Sequence, residues 1–503
     1  MKNGTRLAAV DLGSNSFRLE IGQLDHGQIH RTEYLKETVR QGNGLDADRN
    51  LTPEALQRGW DCLARFGERL SGFKSSTVCA VATQTIREAR NRDVFITRAQ
   101  ELLGFPIDVI SGTEEARLIY QGVAHLLPQS DERRLVIDIG GRSTELILGQ
   151  HLNAQTTASY RVGSVAWSMR YFPNGELSAS AFKAAEVAAK AILDETCALY
   201  SRNQWDVAYG SSGTMGAVAE ILSASGWPAE TVTRDGLEWL LEKLVKAKHA
   251  DNVNLLGLKE DRRAVIGGGV SILRAVFDLL KIDHLYHAQG ALRHGVLYEL
   301  IESNDDAGDI RSNSINRLAR NFEVDAKQAA CVADTASFFF TQLRSKQEVN
   351  DNNFNLLLRK LRWAAQLHEI GTRISHSEYH KHGAYIVDNA DVSGFDLSEL
   401  HRLSQLILGH RGKLRKLDAA LSDTAFVQQL LCLRLAVILC HARTECEATG
   451  LKLEQSRSKP QRFKLFIPTN WEQLYPQSAH LLREEMIAWS KTNWELIVQN
   501  SSS

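Results

Sequence analysis

The chain lacks an excess of either charge: 59 basic and 60 acidic residues leave a net charge of −1 over 503 residues. No global field therefore draws it to nucleic acid or to an anionic membrane, and a polyanionic substrate has to be met by local Arg and Lys clusters. Long apolar runs are missing as well. The longest, Leu430 to Cys440, is interrupted by Arg434 and is too short to span a bilayer. Met1 to Arg6 leads straight into a strand pattern, so no signal peptide is expected. No CxxC pair occurs among Cys62, Cys79, Cys197, Cys331, Cys432, Cys440 and Cys446. Scattered among apolar neighbours, they are expected to be buried free thiols of a reducing cytoplasm, not ligands of a sulfur-bound metal. Low-complexity sequence is absent apart from Ser501-Ser502-Ser503.

What is present is one phrase written twice, 127 residues apart. The first copy runs from Ala9 to Gly22 around Asp11-Leu12-Gly13-Ser14-Asn15-Ser16-Phe17-Arg18. The second runs from Val136 to Gly149 around Asp138-Ile139-Gly140-Gly141-Arg142-Ser143-Thr144-Glu145. Each is an apolar strand ending in a carboxylate, a turn of Gly and Ser, and a second apolar strand. Either copy alone reads as an ordinary hairpin. Two copies with Asp just before the Gly suggest a phosphate clamp flanked by acids, where Gly13, Ser14, Asn15, Ser16, Gly140, Gly141 and Ser143 offer N–H and hydroxyl donors. Asp11 and Asp138 on either side make it a site for Mg²⁺ and a polyanion.

A chain of this length is expected to hold roughly two to four domains. Strands are expected near 6–11, 17–24, 77–83 and 106–110, with helices after Thr52-Pro53-Glu54, near 85–101, and from Ser111-Gly112-Thr113-Glu114-Glu115. The same style restarts with strands near 134–139 and 145–149, which points to a duplicated α/β unit with a cleft between the copies. After about residue 304 the periodicity is helical and rich in His and Arg. A short tail from Leu451 carries a strand at Arg462–Pro468 and an amphipathic stretch from Ser478 to Val498. The expected domains are 1–124, 125–304, 305–446 and 447–503.

Further candidates are weaker singly. Ser212-Gly213-Thr214 is a third Gly/Ser/Thr turn, while Gly267-Gly268-Gly269 also suits close helix packing. Glu114 and Glu115 either favour a helix dipole or supply a base for a water molecule. Arg18, Arg87 and Arg293 lie near turns and are either phosphate contacts or solvated surface. His368-Glu369, His376, His380, His382, His410 and His441 raise a metal site. Glu369 and Cys440-His441 nevertheless stand where a metal phosphohydrolase helix pair of the HD type has Asp, so a degenerate, metal-free domain is expected.

Taken together, these phrases resemble the exopolyphosphatase / guanosine pentaphosphate phosphohydrolase (Ppx/GppA) family over nearly the full length. They include Ala82-Thr83-Gln84-Thr85-Ile86-Arg87, Ser111 to Ile119, and Gly290-Ala291-Leu292-Arg293. Arg117 to His125, Gly59-Trp60 and Val81-Ala82-Thr83 are more similar to the pentaphosphate branch. The resemblance implies two actin/hexokinase/Hsp70-like (ribonuclease H-like) α/β domains, an all-α HD-like domain, a small C-terminal α/β domain and a homodimer. It implies that Glu115 is the catalytic base, that Asp138 and Glu145 lie near a divalent metal, and that Gly140, Gly141 and Ser143 form the phosphate loop. Arg142 departs from the pattern, standing where the family has a small residue; it either adds a phosphate contact or crowds the loop.

The implied reaction removes the terminal phosphate of guanosine pentaphosphate to leave the tetraphosphate, with inorganic polyphosphate as the alternative substrate. Glu115 would activate water while Mg²⁺ with Asp138 and Glu145 offsets charge and the turns with Arg87 grip the phosphates. An actin-like kinase is disfavoured because no acceptor-site Asp motif is present. A non-catalytic guanosine polyphosphate sensor is the remaining alternative.

Overall fold

The computed structural model describes residues 1–302, 310–343, 352–390, 392–443 and 450–500. The chain divides into two compact units, Met1–Gly308 and Asp309–Ser503. The expected boundaries at 304/305 and 446/447, together with Cys446 and Ser501-Ser502-Ser503, lie outside the described residues.

The first unit is mixed α/β and is built on two sheets. β1 (Arg6–Leu12), β2 (Phe17–Asp25), β3 (Gln28–Glu37), β4 (Val78–Ala82) and β5 (Ile107–Val109) lie in the order β3-β2-β1-β4-β5. The first three are antiparallel neighbours, and β4 and β5 run parallel to β1. The pattern repeats in β6 (Arg133–Ile139), β7 (Thr144–Gln150), β8 (Asn153–Tyr160), β9 (Val207–Ser211), β10 (Thr231–Thr233) and β11 (His284–His287). That sheet reads β8-β7-β6-β9-β11, with β10 added at the far edge. β1 and β6 are buried along nearly their whole length because both faces are covered, which is why they read as continuous apolar runs.

Two helices cross between the sheets. Gly112–Leu126 packs against β6, β7 and β8, Leu292–Glu302 packs against β1 and β4, and the two pack on each other. Their closest approach needs small residues: a Cβ on Gly295 would overlap the Leu118 carbonyl, and one on Gly122 would overlap that of Ala291. The helix expected near 85–101 is two, Gln84–Glu88 and Arg92–Leu103. The break at Ala89 is extended, and the Asn91 side chain bonds both backbone groups of Leu51 at 2.8 and 3.0 Å.

The second unit packs helices including Ala326–Gln342, Leu397–Gly409 and Thr424–Leu439 with a three-stranded sheet of β12 (Lys452–Gln455), β13 (Arg462–Ile467) and β14 (Glu495–Asn500). One hydrophobic core joins helices and sheet. The amphipathic tail expected at 478–498 resolves into helix Pro476–Trp489 and β14. Arg434, the charge that interrupts the apolar run, is buried against Glu485 (Nη2–Oε2 2.6 Å) and donates to the Gly409 carbonyl at 2.6 Å. No helix among the described residues is long and apolar enough to cross a membrane. The six described cysteines are free thiols; Cys62, Cys432 and Cys440 are buried, whereas Cys197 is exposed.

Candidate active site

The two repeated hairpins meet face to face. The second turn is closed within itself, as Gly140 N–H donates to the Ser143 carbonyl at 2.9 Å. A Cβ on Gly141 would lie 3.2 Å from the Ser14 Cβ, so glycine there is what lets the two loops approach. Behind them, Thr85 Oγ1 donates to Ser14 Oγ at 2.8 Å, and Ser164 N–H and Val165 N–H hold the Gly140 and Gly141 carbonyls at 2.9 Å. Between the loops lies a polar cleft of about 310 Å³. Gly13, Ser14, Asn15, Ser16, Gly140, Gly141, Ser143, Ser212, Gly213 and Thr214 all line it. Ser212 opens its helix with φ +72°, a left-handed conformation unusual for a residue with a Cβ, and its hydroxyl and that of Thr214 donate to the Ile139 carbonyl at 3.0 and 2.9 Å.

Four carboxylates line the same cleft: Asp11, Glu115, Asp138 and Glu145. The geometry separates the two adjacent glutamates. Glu114 is held by both arms of Arg117 (2.8 and 2.9 Å), which also bonds Glu299 at 2.9 Å, so it serves the helix crossing. Glu115 faces the cleft and meets Arg87 Nη1 at 3.3 Å. Burial, with Asp11 and Asp138 nearby, pushes Glu115 up to about 7 against the pull of Arg87. Burial likewise lifts Asp138 to about 6, with Asp11 adding to it and Ser211, Ser212 and Arg18 opposing. Glu145 goes well above its ordinary range through burial and the charges of Glu115 and Asp138, although the Ser159 hydroxyl donates to it at 2.7 Å.

Cations line the cleft as well. Arg18 bonds Asp11 at 3.1 Å, and Arg293 lies 4.0 Å from Asp11 while its Nε donates to Glu20 at 3.1 Å. Lys36 and Arg262, which motif reading missed, also line the cleft, as do Tyr34 and His287. Burial and the charge of Arg18 hold Arg262 below the ordinary arginine range. Lys36 crosses from β3 to Asp261 at 2.7 Å. Neither residue sits in a recognisable phrase, because β3 and helix Glu260–Arg263 come together only on folding.

Two expected phosphate contacts lie behind the cleft lining. Arg87 is committed to the Ile110 carbonyl at 2.7 Å, to Gln84 and to Glu115. Arg142 turns away from the loop: its Nη1 donates to the Gly42 carbonyl at 3.0 Å and its Nη2 lies 3.4 Å from Glu88, tying the second sheet's loop to the first lobe.

Among the described residues, no three carboxylate, imidazole or thiol groups converge on one metal position. The buried acids of the cleft instead suit a hard cation that keeps waters and takes only one or two carboxylates, as Mg²⁺ does. In the second unit His368, His380 and His410 cluster, with ring centres 5.4 and 6.3 Å apart for the pairs sharing His410. Burial, together with the charges of Arg434 and other neighbouring groups, holds His380 and His410 below the usual imidazole range. Glu369 is paired with Arg443 at 2.7 Å.

The model of the Ppx/GppA phosphatase family matches residues 21–304, and that of its domain III matches 310–486. The chain belongs to the Ppx/GppA phosphatase family. It is 35% identical to a guanosine-5'-triphosphate,3'-diphosphate pyrophosphatase of Photobacterium profundum over 98% of both chains. It is 37% identical to a protein of the same name from Pseudoalteromonas translucida, again over 98% of each. Among solved structures, an exopolyphosphatase from Cytophaga hutchinsonii superposes with a TM-score of 0.55 at 24% identity, covering 59% of this chain and 98% of its own. That likeness supports the mixed α/β fold over the part of this Ppx/GppA chain that it covers.

Proposed function

We propose that the chain hydrolyses the terminal phosphoanhydride of guanosine pentaphosphate, releasing phosphate and leaving the tetraphosphate. The observation that carries this reading is the cleft itself, which two glycine turns, four carboxylates and the cations Arg18, Lys36, Arg262 and Arg293 line together. The names of the full-length relatives supply the substrate.

Anhydride hydrolysis needs an in-line water, a base and stabilisation of charge on the transferred group. In this reading Glu115 takes a proton from the water that attacks the terminal phosphorus. The bridging P–O bond breaks, and its electron pair leaves with the shortened nucleotide. Arg87 orients Glu115 rather than touching phosphate. Turn N–H groups of Gly13 to Ser16 and Gly141 to Ser143 bind the terminal phosphate, and Arg18, Lys36, Arg262 and Arg293 hold the phosphates behind it. Asp138 and Glu145 would hold Mg²⁺, which supplies charge neutralisation when bound. Inorganic polyphosphate presents the same reacting group.

The test is parallel measurement of phosphate release from guanosine pentaphosphate and from polyphosphate. Faster release from the pentaphosphate is expected. Release from polyphosphate alone would make the chain an exopolyphosphatase, and tight binding of guanosine polyphosphates without release would make it a sensor.

A further inference from the structure

Beyond the cleft lies a second compartment of about 740 Å³. The two are continuous, since Lys36, Gly213, Arg262, His287 and Gln289 line both. Arg262 marks the junction, lying so close over Gly213 that a Cβ there would overlap its guanidinium.

The two spaces differ in charge and shape. The cleft side of the junction carries Arg18 and Arg293, but the compartment adds the carboxylates of Glu220 and Glu230, and its added cation, Lys259, is paired with Glu220 at 2.9 Å. A phosphate chain continuing past Arg262 would leave the cations of the cleft and run beside the Glu220 and Glu230 carboxylates, which an uncharged group approaches without repulsion. One wall is flat, because Gly216, Ala217 and Gly257 present little or no side chain, and the bare Gly216 leaves the His287 ring beside it. Burial holds His287 below its ordinary range, which keeps the ring neutral at pH 7 despite Glu230 and Glu220. At the rim, the Glu230 carboxylate accepts from the Gln289 amide at 3.3 Å, and its backbone carbonyl accepts from His287 N–H at 2.8 Å.

A roomy, flat-walled space with carboxylate acceptors suits an uncharged planar group rich in N–H donors. We propose that this compartment receives the guanosine end of the substrate, with the Glu230 carboxylate accepting from the N1–H and N2–H edge of the base. The inference rests on the function proposed above and adds where nucleoside selectivity resides. Adenine has no matching pair of donors on that edge, so the same carboxylate discriminates between the purines.

The experiment uses the full chain with two substitutions, Glu230→Gln and Gly216→Leu, the second filling the compartment. KM for guanosine pentaphosphate is measured beside the inhibition constant of inorganic tripolyphosphate, which carries the phosphates without a nucleoside. Both variants are expected to raise KM about tenfold or more while kcat and tripolyphosphate inhibition stay at wild-type values. Unchanged KM in both variants, or equal weakening of pentaphosphate and tripolyphosphate, overturns the inference. Failure of the wild-type chain to release phosphate from guanosine pentaphosphate would instead overturn the functional reading beneath it.

Discussion

Asp138 and Glu145 stand directly opposite each other in the β6–β7 hairpin, at the positions where Asp11 faces Arg18 in β1–β2. At this place the two copies of the repeat differ in charge. In the first copy an ion pair of 3.1 Å offsets the carboxylate, while in the second two carboxylates accumulate in a buried site. Buried like charges are costly unless a cation joins them, so in the function proposed above the second hairpin is the one that would hold the metal.

Metal dependence follows. EDTA is expected to abolish phosphate release and added Mg²⁺ to restore it, measured by free phosphate. Full activity in EDTA would rule out a required cation. Glu145→Gln should raise the Mg²⁺ concentration needed for half-maximal rate, because one of the facing acids is then neutral.

Glu115→Gln keeps the shape and removes the base. Turnover is expected to fall roughly 10²–10⁴-fold with substrate binding retained, read from kcat and from equilibrium binding. Near-normal turnover would sink the assignment. Glu114→Gln should instead lower stability, since that carboxylate answers Arg117 and not the cleft.

Arg142 provides the check on the loop geometry. Because its guanidinium is spent on Gly42 and Glu88, Arg142→Ala is expected to cost about 1 kcal/mol of stability and to change kcat only a few-fold. A loss of turnover as large as that from Glu115→Gln would show that Arg142 does reach the substrate.

Glu20 gives a pH dependence. Although its burial alone would raise its pKa, His294 at 3.2 Å and Arg293 at 3.1 Å hold it down at about 2, against an ordinary value of 4.5. A carboxyl depressed in the folded state adds stability that is present above its unfolded pKa and lost as pH falls toward the folded one. Glu20→Gln is therefore expected to cost about 2–3 kcal/mol at pH 7, with the difference from wild type shrinking between about pH 4.5 and 2 in urea melts. A pH-independent difference would mean that packing and not charge is at stake.

Arg434→Met leaves Glu485 buried without its cation and should cost about 3–5 kcal/mol in denaturant unfolding. The double variant Arg434→Met with Glu485→Leu should recover most of that loss, because both desolvation penalties vanish together.

By itself the sequence determined the duplicated α/β plan and the two glycine turns. Strand burial, hairpin register and the carboxylate before each Gly are local properties, written within some fourteen residues of each other in each copy. It also placed Glu115 beside Glu114 at a helix start, but a dipole argument treats both acids alike. Only folding separated them, by giving Glu114 to Arg117 and turning Glu115 toward the cleft. The same is true of the cations. Arg142 sits inside the loop phrase yet reaches across to Gly42, whereas Lys36 and Arg262 sit in no phrase and line the cleft. Side-chain direction and long-range partners depend on elements hundreds of residues apart, such as the Lys36–Asp261 pair, and no local pattern encodes them. The second compartment is likewise tertiary, since β11 and the segments around Gly216, Glu230 and Gly257 must assemble before its walls exist.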